Sequence, residues 1–230
     1  MLRIACLLSL GALLVGCGGR SERDVEAAIA RLEAKRDTLK SQVAALDAVE
    51  ASRKGQAPLV VATLAPGDVE RALKGALPLS FDASRLHQYV GGKVEVLGVT
   101  GFKIEKDRDV RFDIVARGKG IKLRVAVPPG YQQMAKELIS GLKAGVTISV
   151  RGQLYTDARG RTRFLGSATG AKLKKHAKKR YHGMIRQGVN QSLLARPHSI
   201  DVDPLRAGGT RLALKGFVPT RGRMAAIFAR

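Results

Sequence analysis

The sequence has no tryptophan, few other aromatic residues and only two cysteines. Aromatic residues make up 4% of the 230 residues, which is a poor supply for the stacking platforms that hold single-stranded nucleic acid. Both cysteines, Cys6 and Cys17, lie near the N-terminus. A disulfide framework, a thiolate zinc site and a cysteine nucleophile farther along the chain are therefore excluded.

Acidic residues are also scarce. The chain has 41 Lys and Arg but only 19 Asp and Glu, a net charge of +22. From residue 151 to the end there are 18 basic and 3 acidic residues, and no acidic residue lies between Ala158 and Ile200. Because like charges repel one another in a compact protein, this surplus predicts an anionic partner.

Motifs of enzymes and metal sites are missing as well. None of the four histidines has the spacing of a zinc-binding helix motif, and Gly91-Gly92-Lys93 lacks the surroundings of a phosphate-binding loop. The glycines at 166 and 170 do not frame Ser167 as a nucleophile elbow would. We expect a protein that is not an enzyme and that needs no cofactor or metal.

The N-terminus has the pattern of an export signal. Arg3 precedes the uncharged residues 4–16, which are too few for a transmembrane helix of about 20 residues. Their length and flanks are typical of the apolar region of a secretory signal peptide. We therefore assign residues 1–16 to a signal peptide, and export makes nucleic acid an unexpected partner.

The signal peptide ends in Leu14-Val15-Gly16-Cys17, which resembles the lipobox of bacterial lipoproteins. That resemblance implies cleavage before Cys17 and acylation of this residue, with palmitate as a typical acyl group. Several acyl chains would then hold the protein at a membrane. Gly18 follows the cysteine. Under the sorting rule of such lipoproteins it implies the periplasmic face of the outer membrane, with the inner membrane as the alternative.

We expect residues 17–21 to form a short acylated tether and residues 22–54, which contain no glycine or proline, to form a helical stalk. Its apolar residues recur in alternating steps of four and three, which favours a coiled coil. One interpretation is a stalk that forms homo-oligomers through residues 22–53. The other is a helix packed on its own domain. The apolar residues are Val25, Ile29, Leu32, Leu39, Val43 and Leu46.

Residues 59–230 are predicted to form an α+β domain. Alternating apolar residues predict strands at 110–116 and 121–127 and a hairpin over 146–165, and a helix is expected at 131–143. The fold class expected is therefore an N-terminal helix or coiled coil followed by an antiparallel bent sheet packed around a long amphipathic helix at residues 171–195.

That last segment combines an apolar stripe with a run of cations. We expect the stripe to line either an apolar groove or the core, and we expect the cations to contact anionic headgroups. The stripe contains Leu173, Tyr181, Met184, Ile185, Val189 and Leu193. The cations are Lys172, Lys174, Lys175, Lys178, Lys179, Arg180 and Arg186.

The order of elements resembles the tubular lipid-binding superfamily, which includes the bactericidal/permeability-increasing proteins. The resemblance rests on the hairpin of residues 146–165, on the helix end at residues 185–197 and on Ile200-Asp201-Val202. It implies a bent sheet around a long helix, with a groove for acyl chains. No binding residue carries over, because the resemblance contains no diagnostic motif.

Two functions follow as expectations. The first is a lipid-anchored periplasmic protein that binds a lipid, such as lipopolysaccharide, or another anionic amphiphile without catalysis. The second is a structural or assembly lipoprotein whose N-terminal helix mediates oligomerisation or partner binding.

Overall fold

The computed structural model describes residues 22–55, 59–105, 109–124, 127–157, 159–175, 179–202, 205–207, 209–220 and 223–230. The signal peptide, Cys17 and the tether predicted at 17–21 lie outside these ranges. The chain divides into two compact units, Met1–Glu33 and Ala34–Arg230. The whole of the predicted α+β domain, residues 59–230, belongs to the second unit.

The described residues contain four α-helices and ten strands. The helices are α1 (Glu22–Arg53), α2 (Pro66–Ala76), α3 (Pro129–Ala144) and α4 (Lys179–Ser192). The strands are β1 (Leu59–Leu64), β2 (Ser80–Asp82), β3 (Val90–Ile104), β4 (Val110–Leu123), β5 (Val146–Thr156), β6 (Thr162–Leu173), β7 (His198–Ile200), β8 (Leu205–Ala207), β9 (Thr210–Thr220) and β10 (Arg223–Ala229).

The strands form two curled antiparallel sheets, which confirms the α+β class. The larger sheet has the order β2-β3-β4-β5-β6-β7, and the smaller one has the order β1-β10-β9-β8. Sequential strands are neighbours throughout the larger sheet, since each is joined to the next by a turn or a short helix. The smaller sheet instead brings β1 against the last strand, β10.

Period-two patterning explains the middle of the larger sheet. Val110, Phe112 and Ile114 are buried, whereas Arg111 between them is exposed. Ile114 pairs with Ile148 of β5, which places two apolar residues side by side on the core face. The predicted strand at 110–116 is therefore confirmed. It continues to Leu123, so it includes the first residues of the separate strand predicted at 121–127.

The helix predicted at residues 171–195 is wrong at its start. Residues 171–173 are the end of β6, and α4 begins at Lys179. Ala171 and Leu173 are both buried, with exposed Lys172 between them, which is the alternation of a strand. Leu173 is also four residues from Ala177 and eight from Tyr181. The same leucine therefore fitted a helical spacing, and that coincidence produced the error.

Helix α1 is present as predicted, and its large apolar residues in the second unit are exposed. Within the second unit, Leu39, Val43 and Leu46 are 53%, 57% and 58% exposed. Ala34 and Ala45 on another side of the helix are buried. The part of α1 in the second unit therefore packs through small residues and leaves its large apolar residues in solvent.

Close contacts identify what lies under that small-residue face. A Cβ atom added to Gly216 of β9 would come within 2.4 Å of the carbonyl oxygen of Ser41. Thr38 Oγ1 lies 3.5 Å from Gln153 Oε1 of β5. Glycine at 216 is needed here because any side chain would collide with the helix backbone.

None of the helices in the described ranges is long and apolar enough to span a membrane.

Candidate functional site: a basic cleft between β4 and α3

An open cleft of about 690 Å³ lies between the end of β4 and helix α3. One wall comes from the last residues of β4, the other from successive turns of α3, and the residue at one end comes from the bend after β6. The lining residues are Arg117, Ile121, Lys122, Leu123, Lys136, Ile139, Ser140, Lys143, Ala144 and Lys175.

Local chemistry fixes the helix that forms one wall. Pro129 occupies the first turn of α3, where a missing N–H costs nothing. Gly145 ends the helix with φ 121°, a conformation that side chains rarely permit. The amide of Lys174 donates to the carbonyl of Gly145 at 3.0 Å. This bond brings the bend after β6, and with it Lys175, to the C-terminal end of α3.

A hydrogen bond joins the two walls. Arg117 Nε of β4 donates to the carbonyl oxygen of Lys143 at 2.9 Å, in the last turn of α3. Carbonyls of a helix C-terminus lack partners within the helix, so a guanidinium is well suited to this position. Arg117 therefore both holds the cleft in shape and adds a positive charge to it.

The charge of the cleft has one sign. Five of its ten lining residues are Lys or Arg, and none of these described lining residues is acidic. Within the described part of the chain, Lys122, Lys136, Lys143 and Lys175 form no ion pair. Their mutual repulsion is a standing cost that an anion in the cleft would remove.

Apolar side chains accompany the cations. Ile121 is buried, Ile139 is half-buried and Leu123 is 36% exposed. Alkyl groups placed against these residues would leave water, and each methylene so buried stabilises by about 0.8 kcal/mol. The arrangement therefore suits a molecule with an anionic head and the beginning of an apolar chain.

The nearest acidic residue of α3 is already satisfied. Glu137 is buried and accepts a hydrogen bond from the hydroxyl of Tyr181. Arg180 Nη2 lies 3.3 Å from Glu137 Oε2 and donates to the Tyr181 hydroxyl at 2.8 Å. Burial raises the pKa of Tyr181, and the hydrogen bond to Glu137 raises it further. This cluster joins α3 to α4. The described lysines of the cleft form no ion pair with Glu137.

The basic residues expected to contact headgroups are divided among three places. Lys172 is exposed on β6, and Lys174 and Lys175 are exposed in the bend that follows it. Of the described members of this set, only Lys175 lines the cleft. Arg180 belongs to the Glu137 cluster, and Arg186 is exposed on α4. Lys178 lies outside the described residues, and Lys179 is the first residue of α4.

The expected groove residues belong to the main hydrophobic core. Tyr181, Ile185 and Val189 of α4 are fully buried. Leu173 of β6 and Leu193 after α4 are also buried, and Met184 is partly buried against the same core. Of the two interpretations left open by the sequence, a groove or a core, this placement favours the core. A ligand site would then lie at the surface of the domain.

A second basic region shows the opposite arrangement. In the hairpin between β5 and β6, Asp157 Oδ2 lies 3.1 Å from Arg161 Nε and 3.2 Å from Arg163 Nε. The amides of Arg159 and Arg161 donate to its Oδ1 atom. Burial raises the pKa of Asp157, but the hydrogen bonds from Arg161, Arg163 and Arg159 outweigh it and leave the pKa below its usual value.

Sequence reasoning missed most of the cleft because its cations are far apart in the chain. One signal was present: residues 114–136 contain no acidic residue, whereas they contain five basic ones. Within the described ranges, no group of three His, Cys, Asp or Glu residues could hold a metal ion.

Comparison with protein-family models, with curated proteins and with solved structures found no match to this chain.

Proposed function

We propose that this chain is a lipid-anchored protein of the bacterial envelope that binds the head of an anionic amphiphile in the basic cleft, without catalysis. The observation that carries the proposal is the set of five cations around the apolar residues Ile121, Leu123 and Ile139. A phosphate-bearing lipid, with lipopolysaccharide as the outer-membrane form, offers both features that the cleft accommodates.

Charge and apolar surface together favour an amphiphile over a simple anion. Free phosphate would use the lysines but would leave Leu123 and Ile139 in water. A lipid in a bilayer presents its phosphate at the surface with methylenes directly below it, and each Lys or Arg near such a surface contributes about 1 kcal/mol. The cleft is therefore suited to the boundary between headgroup and chain.

The anchor is supported by the sequence alone. Residues 1–16 have the order of a signal peptide, and the four residues ending at Cys17 resemble a lipobox. Acylation there would hold the domain next to the anions that its cleft is proposed to bind. Gly18 supports the outer membrane, at its periplasmic face.

Replacing the acylated residue tests the anchor. In cells, we expect Cys17→Ser to move the full chain from the membrane fraction to the high-salt wash, because only ionic contacts would remain. Cys6→Ser is the matched control and should stay with the membrane. A Cys17→Ser protein that remains bound in high salt would show that the lipobox interpretation is wrong.

Vesicle binding tests the ligand class. The full chain carrying Cys17→Ser should float with vesicles of phosphatidylglycerol and phosphatidylcholine, and should float poorly with phosphatidylcholine alone. Raising the salt concentration should weaken this binding, because the Debye length falls from about 10 Å at 0.1 M to about 3 Å at 1 M. Equal binding to both vesicles, or binding to neither, would contradict the proposal.

Assembly through α1 is the second candidate function. It is favoured by the exposure of Leu39, Val43 and Leu46, which the domain leaves uncovered. A coiled coil is one way to cover them, and the two functions are compatible because none of the described lining residues of the cleft belongs to α1.

A further inference from the structure

The exposed stripe of α1 is the largest set of uncovered apolar residues on a single described element. In the second unit it comprises Leu39, Val43 and Leu46, each more than half exposed. In the first unit Val25, Ile29 and Leu32 are 43%, 50% and 69% exposed. Large apolar residues that recur on one helix and lie in solvent mark an interaction surface.

The stripe is free to meet a partner without displacing the domain. At about 100° per residue, its members in the second unit lie roughly 140° round the helix axis from the buried Ala34, Ser41 and Ala45. A helix laid along the stripe would therefore approach α1 from the side away from β9. The face that packs on the domain and the face that remains open do not compete.

We propose that a second copy of this chain covers the stripe, with the two α1 helices packed side by side in antiparallel orientation. The spacing in steps of four and three is that of a two-helix seam, in which each apolar residue fits between residues of the facing helix. The choice of a second copy and of its direction rests on the charges that flank the stripe.

A parallel pair would bring like charges together. In that orientation Lys35 of one helix would lie opposite Lys40 of the partner subunit, and symmetry would repeat this repulsion. Both lysines are exposed beside the stripe. The acidic residues beside the stripe, Glu33 and Asp47, would face the uncharged Ala28 and Gln42 of the partner subunit and would not offset the repulsion.

In an antiparallel pair centred between Arg36 and Leu39, the charges that meet near the middle attract each other instead of repelling. Glu33 would then lie opposite Lys40 of the partner subunit, twice by symmetry, and Leu32 would lie opposite Val43 of the partner subunit. One like-charge pair, Glu26 with Asp47, falls toward the ends of the contact. Water screens charges better there than at the centre.

Arg36 is the one charged residue at the centre of the seam, and its surroundings make it tolerable there. Its Nη2 atom lies 2.9 Å from Asp37 Oδ1, so the guanidinium is drawn to the edge of the helix. The aliphatic part of the arginine can then cover Leu39 of the partner subunit while its charged end stays in water.

A charge reversal tests both the contact and its direction. Sedimentation of the full chain carrying Cys17→Ser should show a dimer. Lys40→Glu should weaken it about tenfold, because each attractive pair becomes a Glu–Glu pair. The double variant Glu33→Lys/Lys40→Glu should restore the original affinity. Lys74→Glu, an equal change of charge at an exposed residue of α2, should have no effect.

Loss of an apolar residue tests the seam itself. Leu39→Lys should weaken the dimer about a hundredfold, because it removes apolar contact and places two further cations beside Arg36. Leu39 is 53% exposed, so the variant should fold, and an unchanged thermal unfolding curve of the monomer checks this. A monomer at every protein concentration would overturn the proposal. So would a dimer that Lys40→Glu strengthens, since that result belongs to the parallel pair.

Discussion

Two basic regions of the molecule differ in how their charge is balanced. In the β5–β6 hairpin, Arg161 and Arg163 share the carboxylate of Asp157. In the cleft, Lys122 and Lys143 have no described carboxylate beside them. The hairpin cations therefore contribute to the fold, whereas the cleft cations have no described carboxylate to offset their repulsion, as expected of the proposed anion site. A count of positive residues in the sequence could not separate these two roles.

Stability and the proposed lipid binding should therefore respond to different mutations. Changes in the balanced regions should lower stability and leave lipid binding intact. Changes in the cleft should lower lipid binding and leave stability intact, or raise it slightly as repulsion is removed.

The largest effect is expected in the cleft. Lys122→Gln/Lys136→Gln/Lys143→Gln should weaken binding to phosphatidylglycerol vesicles roughly a hundredfold, since each lysine contributes to attraction by an anionic surface. Vesicle flotation and thermal unfolding should be measured on the same samples. The control variant, Lys74→Gln/Lys103→Gln/Arg206→Gln, removes the same charge at exposed positions outside the cleft and outside α1. Equal losses in both variants would mean that net charge, and no particular site, attracts the lipid.

A smaller effect is expected in the cluster that joins α3 to α4. Tyr181→Phe removes the hydroxyl that donates to Glu137 and accepts from Arg180. Loss of a buried hydrogen bond should lower the free energy of unfolding by about 1.5 kcal/mol. Denaturant titration measures this, and vesicle binding should not change. Weaker binding at unchanged stability would place this cluster in the ligand site.

The smallest effect is expected at the hairpin. Asp157→Asn keeps an oxygen for the amides of Arg159 and Arg161 but loses the charge, which should cost about 1 kcal/mol at neutral pH.

The pH dependence of the stabilisation by Asp157 follows from the lowered pKa of its carboxyl group. The carboxylate stabilises the folded protein above its unfolded pKa of about 3.8, and this contribution disappears as the pH falls through the lower folded value. The difference in unfolding free energy between the original protein and the Asp157→Asn variant should therefore stay constant from pH 7 to about 3.8 and shrink at lower pH. A difference that widens toward low pH would contradict the proposed pairing.

Local patterns predicted much of the fold. The hairpin turn near Asp157 and the helix at 131–143 follow from turn residues, from alternation and from a glycine stop, and all of these act over a few residues. The pattern failed at Leu173, where spacings of two and of four coincide. It also failed to place the stripe of α1, because residue spacing identifies an apolar face without showing what covers it.

The cleft lay beyond such reasoning for a different reason. Lys122 and Lys136 approach each other only because β4 and α3 pack together, and Lys175 joins them through the bond between Lys174 and Gly145. Tertiary contacts of this kind leave no local signal apart from the missing acidic residues.

Isoleucine methyl groups offer the most direct test of the central claim. In the full chain carrying Cys17→Ser, labelled methyl signals should be followed by NMR while short-chain phosphatidylglycerol is added below its micelle concentration. The signals of Ile121 and Ile139 should shift, and should shift more than with the matching phosphatidylcholine, while the signal of Ile185, a buried residue of α4, should not change. If Ile185 shifts and the two cleft residues do not, the ligand enters beside α4, and the account of the basic cleft is wrong.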